Sequence, residues 1–215
     1  MVSNSMLFCK SHGLTIILFI SLVFSITCTE NKLDTPEMKS YVAELVRQRK
    51  EKDYSMQFDQ SSPFMRDTSI TFKPLNYYKP NPDFIFRSKL YSYEDQDTVE
   101  IMGTKGEKRP TIVIGYLDLN YKDKVYKVNV YKSISITGEA YYSIWFTDRT
   151  TGKETYGVGR YLDFELNDDP DFIYTIDFNK AFNPYCAYTP LYTCPIPRKE
   201  DHIDLNIEAG EKNFH

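Results

Sequence analysis

The apolar positions near the start of the chain predict one amphipathic helix. Asp34-Thr35-Pro36-Glu37 combines a capping residue, a proline in the first turn and an acid close to the helix N-terminus. Apolar residues then recur at the three- and four-residue spacing of one helical face, at Met38, Tyr41, Val42, Leu45 and Val46. We therefore expect a helix that begins near residue 35, ends near residue 52 and packs this stripe against a sheet.

After residue 82 the apolar positions alternate, which indicates strands. The segment Lys122-Asp123-Lys124 separates two alternating runs and predicts a hairpin. About eight short strands that follow one helix predict a mostly β (α+β) fold, with an antiparallel barrel-like or sandwich sheet and one N-terminal amphipathic helix. The strands are predicted at residues 83–93, 98–102, 111–121, 125–131, 141–147, 159–164, 172–178 and 203–207.

The first residues predict export. Residues 14–26 are apolar and uncharged, but this run is shorter than the roughly 20 residues of a membrane-spanning helix and is typical of a signal peptide. Ser25-Ile26-Thr27-Cys28 resembles a bacterial lipobox, although Ser25 and Thr27 differ from its usual residues. We expect a lipoprotein signal peptide over 1–27, a lipid on Cys28, a short tether over 28–34 and a single β-rich domain over 35–215. The protein would then be anchored to a membrane of the bacterial cell envelope; the alternative is an ordinary cleaved signal.

The predicted export and the charge of the chain limit the cysteine chemistry and the partners that we expect. The predicted mature chain keeps Cys186 and Cys194, and an even pair in an oxidising compartment is expected to form a disulfide. The net charge is −4, and the densest basic run, over 47–52, is interrupted by an acid. We interpret that run as a solvated helix end and expect no nucleic-acid partner.

Long glycine- and aromatic-rich motifs fill the second half of the chain. They read FTDRTTGKETYGVGRYL over 146–162, DFNKAFNPYCAY over 177–188, CP at 194–195 and AGEK over 209–212. With the helical region and Ser62-Pro63-Phe64, these motifs resemble a bacterial family catalogued as domain-of-unknown-function family 1684. Phe182 replaces the family's usual Tyr, and Glu200-Asp201 stands where Glu-Asn is common. The resemblance implies a shared architecture and a shared site, but no assigned activity.

The same motifs contain the parts of a polar-ligand site. Gly157 and Gly159 permit a sharp bend, and Arg160 offers a planar fork that suits a carboxylate or a phosphate. A hairpin turn, with Arg160 paired to Asp148 or Asp177, is the structural alternative, and the other polar and aromatic candidates also fit turns and packing. The candidate ligand-binding residues are Asp148, Thr155, Tyr156, Gly157, Gly159, Arg160, Asp177, Asn179, Asn183 and Tyr188.

The sequence supports a catalytic group of residues less well than it supports a ligand-binding site. A Cys194–His202 pair, or a zinc site that adds Cys186, requires unbridged cysteines, and no metal-binding spacing supports either. We expect no metal and no cofactor. The carboxylates of Asp148, Glu154, Asp177 and Glu211, together with Tyr156, remain available to a hydrolase of envelope polymers.

We therefore expect a non-catalytic envelope lipoprotein domain. It would bind a small polar or anionic ligand, or an envelope component, around Arg160. The carboxylate hydrolase and a purely structural role of the motifs are the two alternatives.

Overall fold

The computed structural model describes residues 32–135 and 137–215, and Lys32–His215 form one compact unit. The predicted signal peptide and the lipid attachment at Cys28 lie outside the described residues. Among the described helices, none has the length and hydropathy needed to cross a membrane.

Helix α1 spans Pro36–Phe58. It begins where the sequence predicts, because the Thr35 side chain accepts a hydrogen bond from the Met38 backbone N–H at 3.2 Å. The predicted end near residue 52 is six residues too early. No glycine or proline interrupts residues 53–58, and the buried Met56 gives this last part of the helix an apolar contact. Ser62 then caps the short helix α2, Pro63–Arg66.

Nine strands are described, and they confirm the mostly β, α+β class. Lys122 and Asp123 form the predicted hairpin turn, and Lys122 has a φ of 53°. The predicted strand over 83–93 is divided at Lys89, where the chain passes from one sheet to another. The strands are β1 Ile85–Ser88, β2 Leu90–Ser92, β3 Thr98–Met102, β4 Lys108–Tyr121, β5 Lys124–Ile134, β6 Ala140–Asp148, β7 Arg160–Phe164, β8 Tyr174–Asp177 and β9 His202–Ile203.

The larger sheet has the order β2-β4-β5-β6-β7 with antiparallel neighbours, and β3 also pairs with β4. The short strand β9 adds a parallel pairing to β6. Strands β1 and β8 form a separate antiparallel ribbon. The described strands leave the larger sheet open, so the barrel-like alternative is not realised.

The main core lies between the β1–β8 ribbon and one face of the larger sheet. Phe178 is central to it and makes edge-to-face contacts with Phe146 at 5.0 Å and Phe86 at 5.7 Å. On the opposite face, Trp145 stacks on Tyr131 at 4.6 Å. A third cluster joins the end of α1 to α2.

Helix α1 does not pack its predicted stripe flat against the sheet. Leu45 and Met56 are buried, whereas Val46 is 39% exposed. Met38, Tyr41 and Leu45 of the predicted stripe line two cavities beside α1, and Val46 lines neither.

Candidate functional site

Arg160 begins β7, and its side chain is fully buried. One terminal nitrogen donates to Asp148 Oδ2 at 2.8 Å and to the Ile207 carbonyl at 2.9 Å. The other donates to the carbonyls of Ala209 and Glu211. The guanidinium therefore fastens the C-terminal segment to the hairpin. Only its buried Nε lacks a partner among the described residues, and these contacts favour the structural alternative in which Arg160 pairs with Asp148.

Asp148 organises the turn between β6 and β7. Its Oδ1 accepts hydrogen bonds from the Thr150 backbone N–H at 2.9 Å and from the Thr150 hydroxyl at 2.6 Å. Thr155 is fully buried, and its hydroxyl lies 2.9 Å from that of Thr150. The aspartate and threonine positions of this motif thus build a closed turn whose buried carboxylate faces Arg160.

The two glycines of this turn have different roles. Gly159 has a φ of 119°, and a Cβ there would lie 2.7 Å from the Phe146 carbonyl oxygen. Gly157 lies outside the left-handed region, and a Cβ there would meet only ordinary contacts. Backbone geometry therefore requires glycine at residue 159 and not at residue 157.

Asp177 and Asn179 form a second structural group. Asp177 Oδ1 accepts from the Asn179 backbone N–H and side-chain amide, both at 3.0 Å, and Asp177 Oδ2 accepts from the Tyr41 hydroxyl at 2.7 Å. Asn179 also exchanges two hydrogen bonds with the Asn81 backbone, at 2.7 and 2.9 Å. These contacts tie β8 to α1 and to the segment before β1.

Asn183 and Tyr188 meet at Glu211, whose carboxylate is buried. Asn183 Nδ2 donates to Glu211 Oε1 at 2.9 Å, and the Tyr188 hydroxyl donates to the same oxygen. Lys52 completes the group with an ion pair to Glu211 Oε2 at 3.0 Å. The sequence motifs of residues 177–188 and 209–212 are thus brought together, and a helix residue joins them.

Cys186 and Cys194 lie side by side as free thiols, so the expected disulfide is not formed in this structure. The Cys186 backbone N–H donates to Cys194 Sγ at 3.3 Å, and the Tyr156 hydroxyl donates to the Cys186 carbonyl at 3.2 Å. A hydrogen bond from Cys194, helped by Tyr156 and Thr104, lowers the pKa of Cys186 to about 7. The same contact, together with burial, raises the pKa of Cys194.

The catalytic candidates among the described residues lie in different surroundings. Asp148 and Glu211 are hydrogen-bonded in the interior, whereas Glu154 is exposed and accepts from Tyr78 at 3.2 Å. His202 is exposed and lies 3.0 Å from the Thr147 hydroxyl. Over residues 32–135 and 137–215, no three histidine, cysteine or acidic side chains are grouped so that they could hold a metal ion.

A cavity of about 540 Å³ lies between α1 and the segment that follows β8. We call it the α1 cleft. Two of the predicted residues, Asn179 and Asn183, contribute to its lining. The helix wall and the opposite wall also supply Leu45, Arg49, Lys52, Ser55, Met56, Tyr77, Asp163, Lys180 and Phe182.

Arg49 is the central cation of the α1 cleft. Its terminal nitrogens donate to the carbonyls of Tyr78 at 2.9 Å and Asn179 at 3.2 Å, and its guanidinium lies over the Tyr77 ring, 4.3 Å from the centroid. Within the described residues, no carboxylate lies at ion-pair distance from Arg49, although those of Asp177 and Glu211 are near enough to stabilise its charge. Burial accordingly lowers the pKa of Arg49 from its ordinary value, although the group remains a cation.

Three buried polar atoms of residues that line the α1 cleft lack a hydrogen-bond partner within the described part of the chain. They are Arg49 Nε, the Tyr77 hydroxyl and Asn183 Oδ1. Buried polar groups in folded proteins are nearly always hydrogen-bonded, so such a cluster requires an explanation. Neighbouring atoms close all three off from the cavity in this structure, so a ligand would reach them only after a side-chain movement.

Sequence reasoning missed the helix wall of this site. We interpreted residues 47–52 as a solvated helix end, but α1 continues to Phe58. In the longer helix, Leu45, Arg49, Lys52 and Met56 follow the three- and four-residue spacing of one face. Two cations on the same face as two buried apolar residues are the sequence signal that would have indicated the site.

The chain resembles known proteins in fold and family. The family model described as "Protein of unknown function (DUF1684)" matches residues 70–212. The chain is also similar to the solution NMR structure of an uncharacterised protein from Haloarcula marismortui, with 24% identity and a TM-score of 0.60 over 82% of this chain and 96% of that one. This likeness concerns the fold. No curated protein matches the chain.

The matched range includes the motifs of residues 146–162, 177–188, 194–195 and 209–212, whereas α1 and Ser62-Pro63-Phe64 precede it. It contains Tyr77, Asn179 and Asn183 of the α1 cleft, whereas Arg49 and Lys52 precede it. Because this range covers the sheet, the ribbon and the C-terminal segment, the chain belongs to domain-of-unknown-function family 1684.

Proposed function

We propose that this protein binds a small polar ligand in the α1 cleft and does not alter it chemically. The observation that carries the proposal is the placement of Arg49 Nε, the Tyr77 hydroxyl and Asn183 Oδ1, three buried and unpartnered atoms of residues that line one cavity. A cavity of about 540 Å³ is within the usual size range of small-molecule sites.

Two other cavities offer a comparison. One, of about 860 Å³, lies beside the N-terminal half of α1, and another, of about 470 Å³, lies beside β3 and β4. No residue that lines either cavity is among the described residues with a buried, unpartnered side-chain atom. Unsatisfied polar groups therefore favour the α1 cleft over the larger cavity.

A binding role is better supported than hydrolysis. Glycoside hydrolysis needs two carboxyl groups on opposite sides of the scissile bond, about 5 to 10 Å apart. The sequence candidates are instead divided between the interior, where Asp148 faces Arg160, and the surface, where Glu154 lies. We accordingly place the hydrolase of envelope polymers second.

We also propose that the protein is exported to the cell envelope and anchored there by a lipid. The apolar run over residues 14–26 and the lipobox-like Ser25-Ile26-Thr27-Cys28 support export and a lipid anchor on Cys28. An anchored binding domain would take its ligand from the cell envelope, either as a free small molecule or as part of an envelope component.

A blocked cleft tests the proposal. Ser55→Trp places a large side chain at an exposed position that lines the cleft, and Ala43→Trp places it at an exposed position of the same helix that does not. Native mass spectrometry against a mixture of amino acids, organic acids, sugars and nucleotides should detect a bound molecule on the wild type and on Ala43→Trp, but not on Ser55→Trp. Equal binding by all three proteins, or no binding to the wild type, would contradict the proposal.

A further inference from the structure

We infer that Cys186 and Cys194 form a reversible thiol–disulfide exchange site for small-molecule disulfides. Cys186 attacks the external disulfide, and Cys194 then displaces the part that remains bound, which leaves a bridge between the two cysteines. The structure holds the reduced form of this site, in which both thiols are free. The site is separate from the α1 cleft, because neither cysteine lines that cavity.

The two cysteines are held close enough to react with each other. The Cys186 backbone N–H donates to Cys194 Sγ at 3.3 Å, and the two thiols are hydrogen-bonded to each other. Cys194 is fixed from its other side by Thr104, whose hydroxyl accepts from the Cys194 backbone N–H at 3.2 Å and whose N–H donates to the Cys194 carbonyl at 3.0 Å. A bridge between the two sulfurs therefore requires no large movement of either segment.

Exposure decides which cysteine meets an external disulfide first. Cys186 is half-buried, whereas Cys194 is buried in the cluster that contains Trp145 and Tyr161. A small disulfide can approach Cys186, but the packing around Cys194 excludes it. Cys186 is accordingly the attacking thiol, and Cys194 is the resolving one.

The surroundings of Cys186 favour its thiolate, which is the reactive form. Hydrogen bonds from Cys194, from the Tyr156 hydroxyl at 3.7 Å and from Thr104 lower the pKa of Cys186 to about 7. The same donors stabilise the dithiol form relative to the bridge, because a disulfide sulfur carries no negative charge for them to bind. A stabilised reduced form makes a disulfide easier to reduce, so we expect the bridge to be reversible.

The exchange proceeds in two displacements. The Cys186 thiolate attacks one sulfur of the small disulfide, whose S–S bond breaks, and the first small thiolate leaves. Cys194 then loses its proton to solvent and attacks Cys186 Sγ, which releases the second small thiolate and forms the bridge. Two electrons pass from the two cysteines to the small disulfide, and its two thiolates take up protons from solvent.

Cys194 becomes easier to ionise as the reaction advances. The largest cause of its raised pKa is the contact with the Cys186 thiolate, and that negative charge is lost when Cys186 enters the mixed disulfide. Burial still raises the pKa of Cys194, but the Cys186 backbone N–H and the charge of Arg109 lower it. The second displacement is thus favoured only after the first has taken place.

The number of thiolates released tests this order. The protein is the full chain with Cys9→Ser and Cys28→Ser, so that Cys186 and Cys194 are its only thiols. Its reduced form is mixed with dithiobis(nitrobenzoate), a small disulfide that releases a coloured thiolate. We expect two equivalents of colour and a bridged protein. Cys194→Ser should release one equivalent and stop at the mixed disulfide, and Cys186→Ser should react at least about tenfold more slowly.

A titration with glutathione tests reversibility. The same protein is equilibrated in mixtures of reduced and oxidised glutathione, treated with iodoacetamide and weighed by mass spectrometry. The bridged form should predominate in oxidised glutathione, and the dithiol form should predominate in excess reduced glutathione. A purely structural disulfide resists reduction by glutathione, so a bridge that stays closed there would overturn the exchange site.

Two tyrosine variants test the activation of Cys186. Tyr156→Phe removes a donor to Cys186 and should raise the pH at which the rate with dithiobis(nitrobenzoate) is half its maximum, while two equivalents are still released. Tyr192→Phe is the control, because Tyr192 packs against the same cluster but its buried hydroxyl has no partner among the described residues. A pH profile that moves equally in both variants would overturn the role of Tyr156.

The results on the unsubstituted pair decide the inference. Release of only one equivalent, with a stable mixed disulfide, would show that Cys194 does not resolve it. Equal rates in Cys186→Ser and Cys194→Ser would overturn the assigned order of attack. The thiolate count and the glutathione titration need no substitution among the described residues, so they remain decisive if the buried Cys194→Ser does not fold.

Discussion

Arg160 donates to Asp148 across 2.8 Å in the interior of the protein, and both side chains are fully buried. The pair closes the turn between β6 and β7, and the terminal nitrogens of Arg160 also donate to the carbonyls of Ile207, Ala209 and Glu211. The strongest motif of the sequence therefore joins distant segments of the fold.

Removal of the Arg160 side chain should destabilise the protein strongly. Arg160→Ala leaves the Asp148 carboxylate buried without its cation, and breaking a buried pair in this way costs about 3 to 5 kcal/mol. The free energy of unfolding, measured in urea, should fall by that amount. Arg149→Ala is the control, because Arg149 and Asp204 form an exposed pair at 2.6 Å and an exposed pair contributes about 1 kcal/mol or less. Equal losses in the two variants would refute the structural role of Arg160.

The two glycines before Arg160 should respond differently to alanine. Gly159→Ala forces a Cβ to 2.7 Å from the Phe146 carbonyl oxygen at a φ of 119°, and should cost more than about 1 kcal/mol of unfolding free energy. Gly157→Ala has room for the methyl group and should be close to neutral. Thermal unfolding of the two variants checks the contrast, and a neutral Gly159→Ala would mean that the backbone here differs from the structure described.

Two tyrosine hydroxyls offer a stability test of the α1 cleft without any ligand. The Tyr77 hydroxyl is buried and unpartnered, so Tyr77→Phe should leave the free energy of unfolding unchanged or raise it slightly. Tyr188→Phe removes a donor to the buried Glu211 carboxylate and should cost about 1.5 to 3 kcal/mol. Urea unfolding measures both values. A clear loss of stability in Tyr77→Phe would show that its hydroxyl already has a partner within the protein.

The paired cysteines should differ in reactivity. The pKa of Cys186 is lowered to about 7 by hydrogen bonding, and that of Cys194 is raised. Because the thiolate is the reactive form, iodoacetamide should modify reduced Cys186 with a rate that rises to half its maximum near pH 7. Cys194 should remain largely unmodified to pH 9. Peptide mass spectrometry across pH 5 to 9 distinguishes the two sites, and equal modification of both cysteines would contradict the assignment.

Local sequence patterns predicted the parts of the fold that depend on local physics. The start of α1 depends on the capping by Thr35, and the hairpin depends on the turn at residues 122–123, so both were placed correctly. The predicted strand is instead divided at Lys89, next to Ser88, whose hydroxyl accepts from the Asp118 backbone N–H at 2.9 Å. That contact joins residues far apart in the chain, and no local pattern encodes it.

The candidate site also has features that the local sequence indicated and features that it did not. The sequence indicated that Asp148 and Arg160 belong together, but their burial follows from the C-terminal segment that covers them. Asn179 and Asn183, two candidates from the sequence, line the α1 cleft, and the ligand-binding role predicted for them stays a prediction. Arg49 was missed because the charge of its neighbours suggested a solvated helix, and the wall opposite it is supplied by residues more than a hundred positions later.

The most direct test of the central claim is a two-dimensional amide NMR spectrum of the protein, recorded with and without the molecule that native mass spectrometry finds bound. Ligand in the α1 cleft should shift the amide signals of its two walls, among them Gln48, Lys52 and Asn183, and these shifts should vanish in Ser55→Trp and persist in Ala43→Trp. Shifts confined to the cavity beside β3 and β4 or to the turn at residues 148–160, or shifts that Ser55→Trp leaves unchanged, would contradict the account.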